Sequence, residues 1–128
     1  FNLGDNLKFY KSDWFSNIKD KFDIIISNPP YIKSEDIEVL PDTVKIYDPL
    51  LALDGGINGL DSYQNIQKDV DKYLNNFGFL CLEIGDDQNE AVKKVFTNNS
   101  IRLYKQYSDY SGVVRNVVFQ LGKKDLKK

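Results

Sequence analysis

At 128 residues, with 41% hydrophobic and 28% charged side chains, the chain has the size and balance of one globular domain with a real core. A net charge of −2 and a sequence pI near 5.1 argue against a broad phosphate-binding surface. Histidine is absent and cysteine occurs once, which excludes Ser-His and Cys-His nucleophilic chemistry, the commonest zinc ligands and an internal disulfide.

The longest apolar runs are a handful of residues, far short of the ~20 that span a bilayer. The lone Cys81 lies within Phe79-Leu80-Cys81-Leu82 and reads as a small buried hydrophobe in a reducing, cytoplasmic setting. No charged-then-apolar leader opens the chain, so nothing suggests secretion, and because it begins with Phe1 rather than Met it is expected to be processed or a fragment.

In chain order, Leu7 to Tyr10 is the first strand candidate, ending near Asp13. Ile24-Ile25-Ile26 follows Phe22 as a near-continuous apolar run, the pattern of a parallel strand covered on both faces. A helix is predicted from Asp61, with Gln64 as its capping-box partner. Tyr63, Ile66, Val70, Tyr73, Leu74 and Phe77 recur at helical spacing, and Gly78 supplies the stop. The run Phe79 to Leu82 then completes a β-α-β unit.

A second helix is predicted from Asp87, with Glu90 at the capping-box position and Ala91, Val92, Val95 and Phe96 facing inward. Ile101 to Tyr107 and Val113 to Leu121 read as strands joined through Ser108 to Gly112, a connection short enough to require an antiparallel pair. Lys123, Lys124, Lys127 and Lys128 form a basic tail, which divides the chain into a domain portion at 1–122 and a tail at 123–128. The element order is that of part of an α/β sheet with an antiparallel pair at its end.

The Ile24 strand runs through Ser27 into Asn28-Pro29-Pro30-Tyr31. In open α/β sheets, ligands bind beyond the carboxyl ends of strands, where this tetrapeptide falls. Two successive prolines fix their own φ, favour extended Asn28 and Pro29, and contribute no N–H groups. The stretch is therefore stiff, rich in carbonyl acceptors, and flanked by an amide and a phenol ring. Methylation of an amide or aromatic amine nitrogen uses such an arrangement. The Asn28 side-chain oxygen and the Pro29 carbonyl could hold the two N–H bonds of a planar NH2, while Tyr31 packs its ring on the group. The bland alternative is a turn that merely ends a strand.

Ser27 to Ile32, SNPPYI, resembles the active-site motif of class I S-adenosylmethionine-dependent methyltransferases that act on planar amino groups. Two families share it, the DNA adenine-N6 methyltransferases and the release-factor glutamine-N5 methyltransferases. Four further segments are similar to the second: SDWF at Ser12 to Phe15, YDPLLALDGG at Tyr47 to Gly56 with Gly59-Leu60, GFLCLEIG at Gly78 to Gly85 with Gln88, Glu90, Ala91 and Val92, and DYSGVVRNV at Asp109 to Val117. Asp48 stands where that family usually shows Glu.

The resemblance implies the C-terminal part of a class I, Rossmann-like methyltransferase sheet that lacks the first two strands. It implies that Asn28, Pro29, Pro30 and Tyr31 form the catalytic segment gripping a glutamine amide. Asp13, Trp14 and Phe15, together with Asn28, would contact S-adenosyl-L-methionine. The partner would be a peptide chain release factor, with no membrane and no direct nucleic-acid binding, and the intact enzyme would be a monomer. The family's Gly-rich cofactor loop and its ribose-binding acid have no match here; Gly55-Gly56 follows a proline-containing loop instead of a strand. The isolated chain is therefore expected to bind cofactor negligibly, and the open edge of the Ile25 strand to make it aggregation-prone. Two alternatives stand beside this reading: a nucleic-acid adenine methyltransferase, and a degenerate or split piece acting only by docking to a partner chain.

Overall fold

A computed structural model describes residues 4–97 and 100–122. In chain order it contains β1 (Phe22–Ser27), α1 (Asp42–Tyr47), α2 (Asp61–Tyr73), β2 (Leu74–Glu83), α3 (Asn89–Val95), β3 (Ile101–Ser108) and β4 (Val114–Leu121). Short 3-10 turns occupy Ser34–Val39 and Leu50–Ala52. The basic tail at 123–128 lies outside the described residues.

Among the described residues, four strands form one sheet in the order β1-β2-β4-β3. β1 and β2 run parallel, joined through α2, whereas β4 is antiparallel to both β2 and β3. The β-α-β unit and the closing antiparallel pair are those expected from the sequence.

Strand side chains alternate between faces, so each strand contributes every second residue to one core. Leu80 and Leu82 of β2 stand opposite Phe119 and Val117 of β4, and all four are buried. α2 lays Tyr63, Ile66 and Val70 on this face, and α3 adds Val92. Phe96, just after α3, meets Phe119 with ring centroids 4.7 Å apart. The opposite face has no helix among the described residues. There Ile24 is 57% and Ile26 78% exposed, although the apolar run predicted cover on both sides.

Three local expectations are corrected. Leu7 to Tyr10 forms no strand, and Leu7, Phe9 and Tyr10 are exposed. A strand needs a neighbour for its N–H and C=O groups, and β1 pairs only with β2. Second, α2 ends at Tyr73, not Gly78. Leu74 is already paired with Phe22, and the ladder resumes only at Ile24 with Phe79, so the residues between loop out. Phe77, expected on the inner helix face, is exposed with φ at 64°. Gly78 sits in this irregularity because a Cβ there would lie 2.9 Å from the Asn75 carbonyl and 3.0 Å from that of Asp23.

Third, neither capping box forms. Leu60 and Gln88 occupy the cap positions of α2 and α3, and neither makes a side-chain cap bond. Asp61 is already helical, with its N–H given to the Gly55 carbonyl at 3.0 Å. The tertiary loop therefore supplies what a local side chain was expected to supply.

Candidate active site

The tetrapeptide leaves the carboxyl end of β1 at the parallel β1–β2 step. Asn28 is exposed, Pro29 buried, and Pro30 and Tyr31 half-buried. Directly after it the chain zips onto the loop that precedes α2. Ile32 donates to the Leu53 carbonyl at 3.1 Å and accepts from Gly55 at 2.7 Å, while the Ser34 N–H reaches the Gly56 carbonyl at 2.9 Å. Asp54 ties both sides, accepting from the Ser34 hydroxyl at 2.6 Å and from the Gly56 N–H at 2.9 Å. These bonds hold the Asp54 carboxyl below the usual carboxylate range, the hydroxyl being the larger cause.

Two carbonyls of the motif are engaged from within the fold. The Ser62 hydroxyl donates to the Pro30 carbonyl at 2.8 Å, and the Gln88 side chain donates to the Tyr31 carbonyl at 3.0 Å. By contrast, the Pro29 carbonyl and the Asn28 side-chain amide have no hydrogen-bond partner among the described residues. They border a cleft of about 300 Å³, lined also by Tyr31, Asp48, Ala52 and Leu53. The tetrapeptide thus presents one unpartnered backbone acceptor and one unpartnered amide to an open cleft. That is the equipment for gripping a small planar group bearing N–H bonds.

Tyr31 turns its hydroxyl towards Glu83, at the end of β2, with 3.4 Å between the oxygens. Burial, and then the Glu83 carboxylate, push its phenol up from the ordinary value. The phenol is thereby kept protonated, which suits a packing and donor role.

Of the residues expected to meet a cofactor, Trp14 and Phe15 border one cavity of about 170 Å³ beside Ser27. Asp13 and Trp14 are exposed on a turn pinned by the Ser12 hydroxyl, which donates to the Trp14 carbonyl at 2.8 Å. Trp14 has φ at 54°, the left-handed region that side chains seldom adopt, and it shares a second cleft of about 380 Å³ with Pro30. Phe15 stacks its ring on Tyr73 of α2 at 4.6 Å and packs against the core. Among the described residues no cluster of His, Cys, Asp and Glu could hold a metal, and no helix is long and apolar enough to cross a membrane.

Gln88 enters the sequence reading only within the family-like segment after Gly85, with no role of its own. Its burial, at 7% exposure, sets it apart.

Residues 2–107 match the family model described as Eco57I restriction-modification methylase. The chain belongs to that methylase family. Among curated proteins, it is 37% identical over 118 residues to a release factor glutamine methyltransferase of Agrobacterium fabrum, covering 92% of this chain and 41% of the relative. It is also 37% identical over 119 residues to one of Thermodesulfovibrio yellowstonii, covering 92% of this chain and 43% of the relative. A bifunctional methyltransferase of Rickettsia felis is 34% identical over 93% of this chain, which spans 23% of that protein. The chain therefore spans less than half the length of these relatives. The resemblance seen in the SNPPYI motif and its flanking segments is thus carried by whole-chain similarity. A solved methyltransferase from Pyrococcus furiosus superimposes with a TM-score of 0.55 over 83% of this chain and 44% of its own, at 17% identity. That likeness shows the fold: a partial class I methyltransferase sheet.

Proposed function

We propose that this chain is the acceptor-gripping part of an S-adenosyl-L-methionine-dependent methyltransferase that acts on the side-chain amide of glutamine in peptide chain release factors. The observation carrying this reading is that the Asn28 side-chain amide and the Pro29 carbonyl, in a stiff tetrapeptide that lines one cleft, have no partner among the described residues. The names of the relatives at 37% identity direct the reading to glutamine.

An amide nitrogen is a poor nucleophile because its lone pair is delocalised. The two acceptors fix the plane of the NH2 group and favour positive charge growing on nitrogen during transfer. The Tyr31 ring covers the planar group. The nitrogen becomes acidic as it gains its carbon, so its proton passes to water and no strong base is needed. Bound S-adenosyl-L-methionine would supply the electrophilic methyl group. Trp14, an aromatic face beside Pro30, and Asp13, an exposed carboxylate one residue away, fit an adenine ring with an N–H2 edge. Phe15 stacks on Tyr73 and lines the adjoining cavity with Trp14.

The restriction-modification description of the family model favours a second reading, in which the same acceptors hold the exocyclic amine of adenine in DNA. The test is the full-length protein that carries this sequence, given labelled methyl donor with release factor or with DNA. Label on release-factor glutamine, reduced about 100-fold by Asn28→Ala, is the expected result. Label on DNA alone would replace this reading with the second, and near-normal turnover in Asn28→Ala would remove the assigned grip.

A further inference from the structure

We infer that Gln88 is the positioning residue of the acceptor site, aiming the Pro29 carbonyl without touching the substrate. A glutamine amide offers two N–H donors and an oxygen with two lone pairs. Gln88 engages both donors and its oxygen. Its Nε2 donates to the Tyr31 carbonyl at 3.0 Å and to the Gly59 carbonyl at 3.1 Å. Its Oε1 accepts from the Gly85 N–H at 2.9 Å and, at 3.3 Å, shares the single proton of the Tyr63 hydroxyl with the Glu83 carbonyl, which lies nearer at 3.0 Å. One planar group therefore ties the tetrapeptide, the loop before α2, the end of β2 and α2 itself.

The surrounding backbone is shaped for that amide. A Cβ on Gly59 would lie 2.9 Å from Nε2, and one on Gly85 would lie 2.9 Å from Oε1. Glycine on both sides lets the amide plane sit where any other residue would displace it.

Peptide geometry links the pin to the reactive carbonyl. Peptide planes are rigid, and both proline rings lock φ. Gln88 fixes the plane carrying the Tyr31 carbonyl, and Ser62 fixes the plane carrying that of Pro30. With φ of Pro30 set by its ring, the plane bearing the Pro29 carbonyl turns only with ψ of Pro30, the one soft dihedral between it and the plane that Ser62 holds. The two inner bonds thus hold the adjacent carbonyl, the one with no partner, towards the cleft.

This inference rests on the methyl-transfer reading above for its activity readout, and it has a second readout that does not. Gln88→Glu keeps shape and the two accepted bonds but sets a carboxylate against two carbonyls. Gln88→Met keeps length without charge and serves if the Glu variant does not fold. Both are made in the full-length protein carrying this sequence. Turnover is normalised to the number of methyl-donor-binding sites, and amide hydrogen exchange is followed by mass spectrometry.

The expected result is turnover per binding site reduced roughly 10- to 100-fold, with donor affinity changed less than about twofold. Exchange at Ile32 and Gly55 should rise about tenfold, while Leu82 and Phe119 in the sheet keep their protection. Unchanged turnover per binding site, unchanged exchange at Ile32 and Gly55, or a uniform loss of sheet protection would each overturn the inference. If the unsubstituted protein methylates no glutamine, the function proposed above fails, and the exchange result alone decides the role of Gln88.

Discussion

The Tyr31 hydroxyl points at the Glu83 carboxylate across 3.4 Å, joining the residue that closes the tetrapeptide to the end of the neighbouring parallel strand. At that length the bond is weak, and the ring rather than the hydroxyl is the working part of the side chain. Tyr31→Phe is expected to cost less than about 1 kcal/mol in denaturant unfolding and to leave turnover within a few-fold. Tyr31→Ala, which removes the ring, should lower turnover by about 100-fold. Equal losses in the two variants would assign the role to the hydroxyl instead.

Alkaline unfolding follows from two phenols. Burial raises the Tyr63 phenol far above its ordinary value, with Tyr31 and Glu83 adding to the effect, and burial raises that of Tyr31 too. In the unfolded chain both ionise near about 10. The folded state keeps its protons above that pH while the unfolded state loses them, so stability is full below about 10 and falls as pH rises further. Denaturant midpoints taken from neutral to strongly alkaline pH should show this fall, with a smaller slope in Tyr63→Phe. A midpoint independent of pH would contradict the burial of Tyr63.

Acid acts on the closing hairpin. Asp109 accepts from the Ser111 N–H at 2.8 Å, the Val113 N–H at 3.1 Å and the Arg115 Nε at 2.9 Å. Arg115 first, and the backbone bonds after it, hold the Asp109 carboxyl below the usual range. Stability from this group is therefore present above the unfolded value of about 3.9 and lost as pH falls through the lower folded one. Asp109→Asn should lower the thermal midpoint at neutral pH, and its difference from the unsubstituted protein should shrink towards pH 3 or so.

Gly55 presses closely against the motif. A Cβ there would lie 2.8 Å from the Tyr31 Cα and 2.9 Å from the Gly59 carbonyl, both backbone atoms that cannot rotate away. Gly55→Ala should cost roughly 1–3 kcal/mol in denaturant unfolding by forcing the two loops apart. A cost near zero would show that the loops slide freely past each other.

Ile26 is 78% exposed on the sheet face that carries no helix among the described residues, and it lies on β1, an edge strand with one neighbour. An apolar edge of this kind templates association. The 128-residue chain alone should self-associate in light scattering, and Ile26→Lys should suppress this with little change in thermal midpoint. A monodisperse unsubstituted chain would contradict this expectation.

The sequence by itself determined the elements whose cause is local. Ser108 to Gly112 is too short for anything but an antiparallel return, and β3 and β4 pair that way. Apolar runs flanking a helical period produced the parallel β1–α2–β2 unit, and two prolines placed a stiff acceptor segment at the end of β1. Only the tertiary structure decided where hydrogen-bond partners come from. α2 stops at Tyr73 because Leu74 finds Phe22 across the sheet, a pairing separated by dozens of residues in sequence. Leu7 to Tyr10 has strand composition and no ladder partner, so it stays irregular. Asp61 and Glu90 match a capping pattern, yet Gly55 and the backbone around Gln88 meet those helix ends first. Most of all, the tetrapeptide offers several carbonyls, and its composition cannot tell which face a substrate. Ser62 and Gln88, distant in the chain, occupy those of Pro30 and Tyr31 and leave that of Pro29 open. Periodicity and ring constraint are written residue by residue, whereas satisfaction of buried polar groups is a property of the folded whole.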